Sequence, residues 1–353
     1  MNNLPNLRNR SVSRRFADGA GPTVTPNTTY AGVHAAPFVA PALKLASTLA
    51  NGYVRQIDGI QNKAVISSLS SDASLNVIVP ANCDWDDTNS LILGERVLEL
   101  TDLAVMEALC RGTLLPTWAG MTGARETMTA GSPEFVNFTM ATVAAYTAQS
   151  VENGIWKGIN GTLPQGFLSN NGVFAKAGYR ASILNGGGTA GSPVAQEQAI
   201  TAGEFTAPIG ELGAFERVYL KAQSTVPAIL NRTDVAFYCG TKLAGAYMHA
   251  LGVAGGSGYQ INVTNQAFGN LQYLGIPINV CPGMPDESLV LSYQENLVVG
   301  SNLMTDYTQA NYIDAWQFDG SDQVKIAMRF GLGMQVGVPS DVVIGAKTAI
   351  FAA

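Results

Sequence analysis

Near the C-terminus, Val324, Ile326, Met328, Phe330, Leu332, Met334, Val336 and Val338 alternate without a miss. Gln323, Lys325, Ala327, Arg329, Gly331, Gly333, Gln335 and Gly337 fill the other positions. A period of two over 16 residues is a β-strand with one buried face. Typical strands run about 3–10 residues, whereas this one reaches roughly 50 Å at ~3.4 Å per residue. That is longer than most globular domains use. The glycines on its other face let a second backbone or a helix pack close.

Such a strand needs extensive cover, and composition suggests where some of it comes from. Of 353 residues, 47% are hydrophobic and only 13% are charged, against about 25% in typical globular chains. So few charges solvate a lone subunit poorly. Apolar surface is expected to end against neighbours, as in obligate assemblies. The net charge is -6, from 20 Lys and Arg against 26 Asp and Glu. A chain that grips phosphate backbones over its whole surface shows a basic face instead.

Residues 1–45 read as an arm. Arg8, Arg10, Arg14 and Arg15 precede the first acid, Asp18, and Gly, Pro, Thr and Asn dominate up to Pro41. This composition builds no core of its own, so a neighbouring subunit is expected to hold the arm, uncleaved. The arginines suit DNA contact, pairing with a neighbour's acidic patch, or a solubilising tail. Residues 42–51 form a short helix that Gly52 ends. Strand pieces at 53–57, 64–69, 75–79 and 91–100 surround the acidic turn Asn82 to Asn89, which reads as an extended hairpin over about 53–101. Residues 102–118, DLAVMEALCRGTLLPTW, look helical at first, then break at Gly112 and Pro116.

A long helix is expected over 133–158, with Val136, Met140, Val143, Thr147, Val151 and Ile155 as its apolar stripe. A second helix, 209–225, buries Leu212, Phe215, Val218, Tyr219 and Ala222. A buried strand (234–239) precedes a helix that Thr241 caps and Gly252 ends. Further strands are expected near 261, 271–274, 276–280 and 288–293.

Catalytic chemistry finds little footing. Nucleophile–base pairs need a histidine, and only His34, in the arm, and His249, a structural histidine near a helix end, exist. There is no nucleophile elbow, phosphate loop or zinc-protease motif. Cys83, Cys110, Cys239 and Cys281 form no CxxC pair, so they read as reduced, mostly buried thiols rather than zinc ligands. Asp84, Asp86 and Asp87 lack the glycine and closing Glu of a calcium loop. Gly186–Gly188 and Gly255–Gly258 read as loops. No apolar run is long enough to span a membrane, and no secretory signal opens the chain. No catalytic, cofactor-binding or metal-binding residue is assigned.

In this order the parts resemble the major capsid proteins of tailed bacteriophages, whose fold is named for phage Hong Kong 97. DVAFYCGTKLAGAYMHALG, from Asp234, looks like their axial strand and helix. LGIPINVCPGMPDESLVLSYQENLVVGSNL, Leu274 to Leu303, resembles their strand, Met-Pro turn and following strands. KAVISSL, the Cys83 turn, RVLELTDL and the stretch from Leu109 to Trp118 look like an extension loop (E-loop) and its return, similar also to capsid proteins of crAss-like phages. The resemblance implies an α+β Hong Kong 97-like major capsid fold. Its parts are an N-terminal arm (1–45), an E-loop (46–105), a peripheral domain (106–229) with a spine helix at about 133–158, an axial domain (230–322), and a long strand returning to the peripheral domain (323–353).

It further implies self-assembly into hexamers and pentamers of an icosahedral shell around double-stranded DNA. DNA contact would be weak and non-specific; a portal and possible scaffolding or decoration proteins would be partners. Assembly would take place in the bacterial host cytoplasm. Some relatives crosslink an E-loop Lys to a neighbour's Asn; Lys63 lies on the proposed loop, but no crosslink is expected. An encapsulin-type nanocompartment is the alternative, and an uncharacterised cytosolic enzyme the second. Deleting residues 1–40 is expected to abolish closed shells while leaving a folded subunit.

Overall fold

The computed structural model describes residues 27–31, 46–71, 91–110, 133–157, 197–206, 213–255, 271–302, 309–315 and 320–347. The strands are β1 (Asn27–Ala31), β2 (Arg55–Ile57), β3 (Lys63–Ser71), β4 (Leu91–Glu99), β5 (Thr101–Cys110), β6 (Glu197–Ile200), β7 (Val235–Cys239), β8 (Gln272–Tyr273), β9 (Ile276–Val280), β10 (Ser288–Tyr293), β11 (Leu297–Ser301), β12 (Gln309–Asp314), β13 (Gln323–Val336) and β14 (Val343–Lys347). The helices are α1 (Ser47–Ala50), α2 (Pro133–Lys157), α3 (Ala202–Thr206), α4 (Ala214–Thr225), α5 (Pro227–Leu230) and α6 (Thr241–Gly255). The class is α+β.

The alternating segment is β13, 14 residues long, and it is the axis of the first sheet. Its apolar residues from Val324 to Val336 are all buried. β12 pairs with its first half, Val324 to Arg329, and β11 with its second, Leu332 to Val336. β5 pairs with Gln323 to Leu332. Leu332 faces both Ser301 of β11 and Thr101 of β5, so these two lie on opposite edges. β1 extends the sheet beyond β12, and β2 beyond β11.

The glycines do what their positions imply. A Cβ on Gly333 would overlap the Glu99 carbonyl where β4 runs into β5. Gly333→Ala should therefore destabilise the subunit by roughly 1–3 kcal/mol, read as a lower urea midpoint. Gly203→Ala, on α3 with open space around it, is the control and should not weaken the fold.

The second sheet has the order β6-β14-β10-β7-β9-β8. Every residue of β7 and β10 is buried, because both faces are covered. Ala236, Tyr238, Val290 and Ile344 point into the core shared with α2 and the first sheet. Phe237, Cys239, Leu289 and Leu291 point into a second core with α4, α5 and α6. A sheet covered on both faces explains the unbroken apolar runs VAFYC and SLVLSY. After β13 the chain crosses to this second sheet as β14, parallel to β6.

Several expectations need correction. Residues 101–110 are a strand, not the start of a helix. Leu103, Val105 and Leu109 face inward while Ala104, Met106 and Ala108 face out. Ten-residue pairing with β13 outweighs the helical propensity of Ala, Leu, Met and Glu. The 105/106 boundary thus falls inside β5. β2 belongs to the first sheet rather than to the hairpin. α4 begins at Ala214 rather than 209, and 207–212 lie outside the described residues. α6 runs through Gly252 to Gly255, since one helical glycine costs only about 1 kcal/mol. Its first bond runs from the Ala244 N–H to the Gly240 carbonyl, so Gly240, not Thr241, holds the cap position. β1 lies inside the arm, so deleting 1–40 would strip an edge strand from the first sheet. The strand pieces at 75–79 and near 261 lie outside the described residues.

Candidate assembly surfaces

β3 and β4 form a two-stranded antiparallel hairpin, from Lys63 opposite Glu99 to Ser71 opposite Leu91. One face packs: Leu98 is fully buried with Ile60 and Val298, flanked by Ala64 and Ile66. The other face is exposed, with Val65 62%, Leu93 61% and Val97 44% exposed between the polar residues Lys63, Ser67, Glu95 and Glu99. The root is firmly tied. The Ile60 N–H donates to the Ser301 carbonyl (3.1 Å) and the Leu100 N–H to the Asn62 carbonyl (3.0 Å). The Ser301 hydroxyl donates to Asp58 (2.6 Å). A lone two-stranded hairpin is marginal in water, and a bare apolar row on one marks a surface that meets another protein.

Behind the root lies a buried polar cluster. Glu152 of α2 is 5% exposed. It accepts from the Thr48 N–H (2.8 Å), the Thr48 hydroxyl (2.6 Å) and the Gly283 N–H (3.4 Å). The Trp156 indole N–H donates to Thr48 Oγ1 at 3.0 Å, and its ring stacks 5.9 Å from Tyr238. Burial, then the Glu152 charge, pushes the adjacent Cys281 thiol well above its ordinary range. The carboxylate therefore ties α1, α2 and the turn after β9 together, where β2 and the hairpin begin.

A third surface lies between β5 and α2. A groove of about 570 Å³ runs there, lined by Val105, Glu107 and Leu109 on one side and Thr139, Val143 and Tyr146 on the other. Among the described residues β5 pairs with β13 alone.

The whole chain matches no family model, and no curated protein matches it either. Solved structures do match. A chain in the capsid of a native GTA particle aligns with TM-score 0.52 at 12% identity, over 86% of this chain and 90% of that one. A chain from Mycobacterium phage Bobi aligns with TM-score 0.51 at 10% identity, and one from Mycobacterium phage Cain with 0.50 at 11%, each over 86% of this chain and 90% of the other. The chain has a phage capsid fold. At such identity the agreement lies in topology and not in residues.

On this capsid fold the residues singled out in the sequence scatter. Lys63 is at the hairpin root, ion-paired with Glu99 at 2.5 Å, both exposed. His249 is exposed on α6 rather than enclosed as a structural histidine. Cys239 and Cys281 are buried, but Cys110 is exposed, against the expectation of mostly buried thiols. Burial pushes the Cys239 thiol up to about 12, so it stays protonated. Cys83, His34, the four arm arginines, Asp84, Asp86, Asp87 and Gly186–Gly188 lie outside the described residues. Among the described residues no three His, Cys, Asp or Glu side chains cluster as metal ligands, and no helix is long and apolar enough to cross a membrane. Sequence reading missed Glu152, Thr48 and Glu107.

Proposed function

We propose that this chain is the major capsid protein of a tailed phage, with the Hong Kong 97-type division into arm, E-loop, peripheral domain, axial domain and long returning strand. The capsid fold supports this reading, and the single observation that carries it is the exposure of Val65, Leu93 and Val97 on one face of the β3–β4 hairpin, above a tied root. As E-loop, that blade lies on an adjacent subunit. The sheet with α4 and α6 acts as the axial domain, gathered around five-fold and local six-fold axes. α2 is the spine helix. Copies close into hexamers and pentamers through repeated heterologous contacts, and the mildly acidic chain touches packaged double-stranded DNA only weakly. The subunit's work is geometric rather than catalytic. Portal, scaffolding and decoration proteins would complete the virion head.

The purified chain, or lysate from cells expressing it, should yield closed particles by electron microscopy. A small soluble oligomer by light scattering would overturn the proposal. Because β1 is part of the first sheet, the clean arm test deletes residues 1–26 and keeps it. That variant should remain a folded subunit by circular dichroism yet give no closed shells; normal particles would refute a clasping arm.

A further inference from the structure

Two adjacent segments carry the chain between the two sheets. Residues 294–296 lead from β10 to β11, and residues 337–342 from β13 to β14. The strands they join are antiparallel on both sides, and one side chain locks the crossings together. Asn296 is 2% exposed. Its amide oxygen accepts from the Val338 N–H (2.6 Å), and its amide nitrogen donates to the Val338 carbonyl (2.9 Å). The second amide hydrogen reaches Ser292 Oγ (3.3 Å). The Asn296 backbone carbonyl accepts from the Gly337 N–H at 2.9 Å. Nearer the second sheet, the Tyr293 hydroxyl donates to Asp341 (3.2 Å). The Arg232 guanidinium lies 3.8 Å from the centroid of the same tyrosine ring.

A core shared with α2 also joins the sheets, but apolar contact is non-directional. An amide that both donates to and accepts from one backbone residue fixes position and direction. Burying it is costly unless those bonds are made, so it favours one setting of the two crossings. Gly337 makes room for it: a Cβ there would stand 3.2 Å from the Asn296 amide oxygen. We infer that Asn296 is the pin that fixes the angle between the two sheets, and through that angle the curvature each subunit gives the shell. It is a positioning residue, buried within its own subunit. The curvature half rests on the shell reading; the angle half does not.

Distances within the dissociated subunit test the pin. Spin labels on Arg329→Cys in β13 and His249→Cys in α6, both exposed positions, report the spacing between the sheets. Cys83→Ser and Cys110→Ser leave only the buried Cys239 and Cys281 besides the labels. This labelled parent should give one narrow distance distribution. Asn296→Asp keeps the shape and one acceptor but sets an oxygen against the Val338 carbonyl, so the distribution should shift and broaden. Gly337→Ala leaves the amide in place and wedges the crossings. It should act the same way, and it decides the matter if Asn296→Asp does not fold. Ile278→Val, in the second core, should lower the urea midpoint without moving the distance. A broad parent distribution, an unchanged one in folded Asn296→Asp, or an equal shift from Ile278→Val would overturn the pin. In electron micrographs, unlabelled Asn296→Asp should give mixed diameters or unclosed sheets where the parent gives one size. Parent diameter despite a shifted distance, or loss of every particle, would overturn the link to curvature. If the parent forms no shells, the shell reading itself has failed, and the spin-label distances still judge the pin.

Discussion

Glu152→Ala should cost the folded subunit about 3 kcal/mol, a larger loss than any substitution on the exposed hairpin. Glu152 is 5% exposed and its carboxylate is the acceptor for two backbone N–H groups, of Thr48 and Gly283, and for the Thr48 hydroxyl. Truncation leaves those donors buried without a partner, at roughly 1–3 kcal/mol for each backbone group. Relief from holding a charge in the core offsets part of this, which keeps the expected net below the simple sum. A Cβ on Gly283 would overlap the Glu152 carbonyl, so the turn after β9 has no slack with which to refill the space. Glu152→Gln keeps one acceptor oxygen and should lose less. Thr48→Val removes the hydroxyl that donates to Glu152 and accepts from the Trp156 indole N–H and should cost on the order of 1 kcal/mol. Urea midpoints of the dissociated subunit read all three. A loss under about 0.5 kcal/mol for Glu152→Ala, the scale of an ordinary surface change, would sink the account.

That cluster also shows what the sequence could not convey. The stripe of α2 was legible because Met140, Val143, Thr147, Val151 and Ile155 recur at helical spacing, and all five are buried. Glu152 follows Val151 on the same helix, but its partners Thr48 and Gly283 are 104 and 131 residues away. No local pattern reports a contact at that range. β13 was legible from its period of two, as was β7 from an apolar run bounded by polar residues. β5 was not, because Leu103, Met106 and Leu109 also fit helical spacing. Only the ladder to β13 decides between the periods. Alternation in β3 and β4 likewise gives two faces, and burial depends on what the root packs against.

The hairpin offers the reverse experiment, one that spares folding and removes assembly. Val65 and Val97 are directly opposite each other, on the bare face that also carries the Lys63–Glu99 pair two positions along. Val65→Lys combined with Val97→Glu extends that ladder by one cross-strand ion pair and leaves no like charges opposed. Exposed pairs contribute about 0–1 kcal/mol, so the urea midpoint of the subunit should barely move. In a shell each valine would otherwise be buried, worth roughly 1.5–3 kcal/mol apiece, and the new charges would have to be desolvated in their place. The deficit recurs in every subunit, so closed particles should vanish from micrographs and light scattering should report only small species. Particles of parent diameter and yield would show that the blade's outer face stays in solvent after assembly. A fallen urea midpoint would show instead that the subunit itself covers this face. Only loss of shells with stability intact assigns the face to a neighbour.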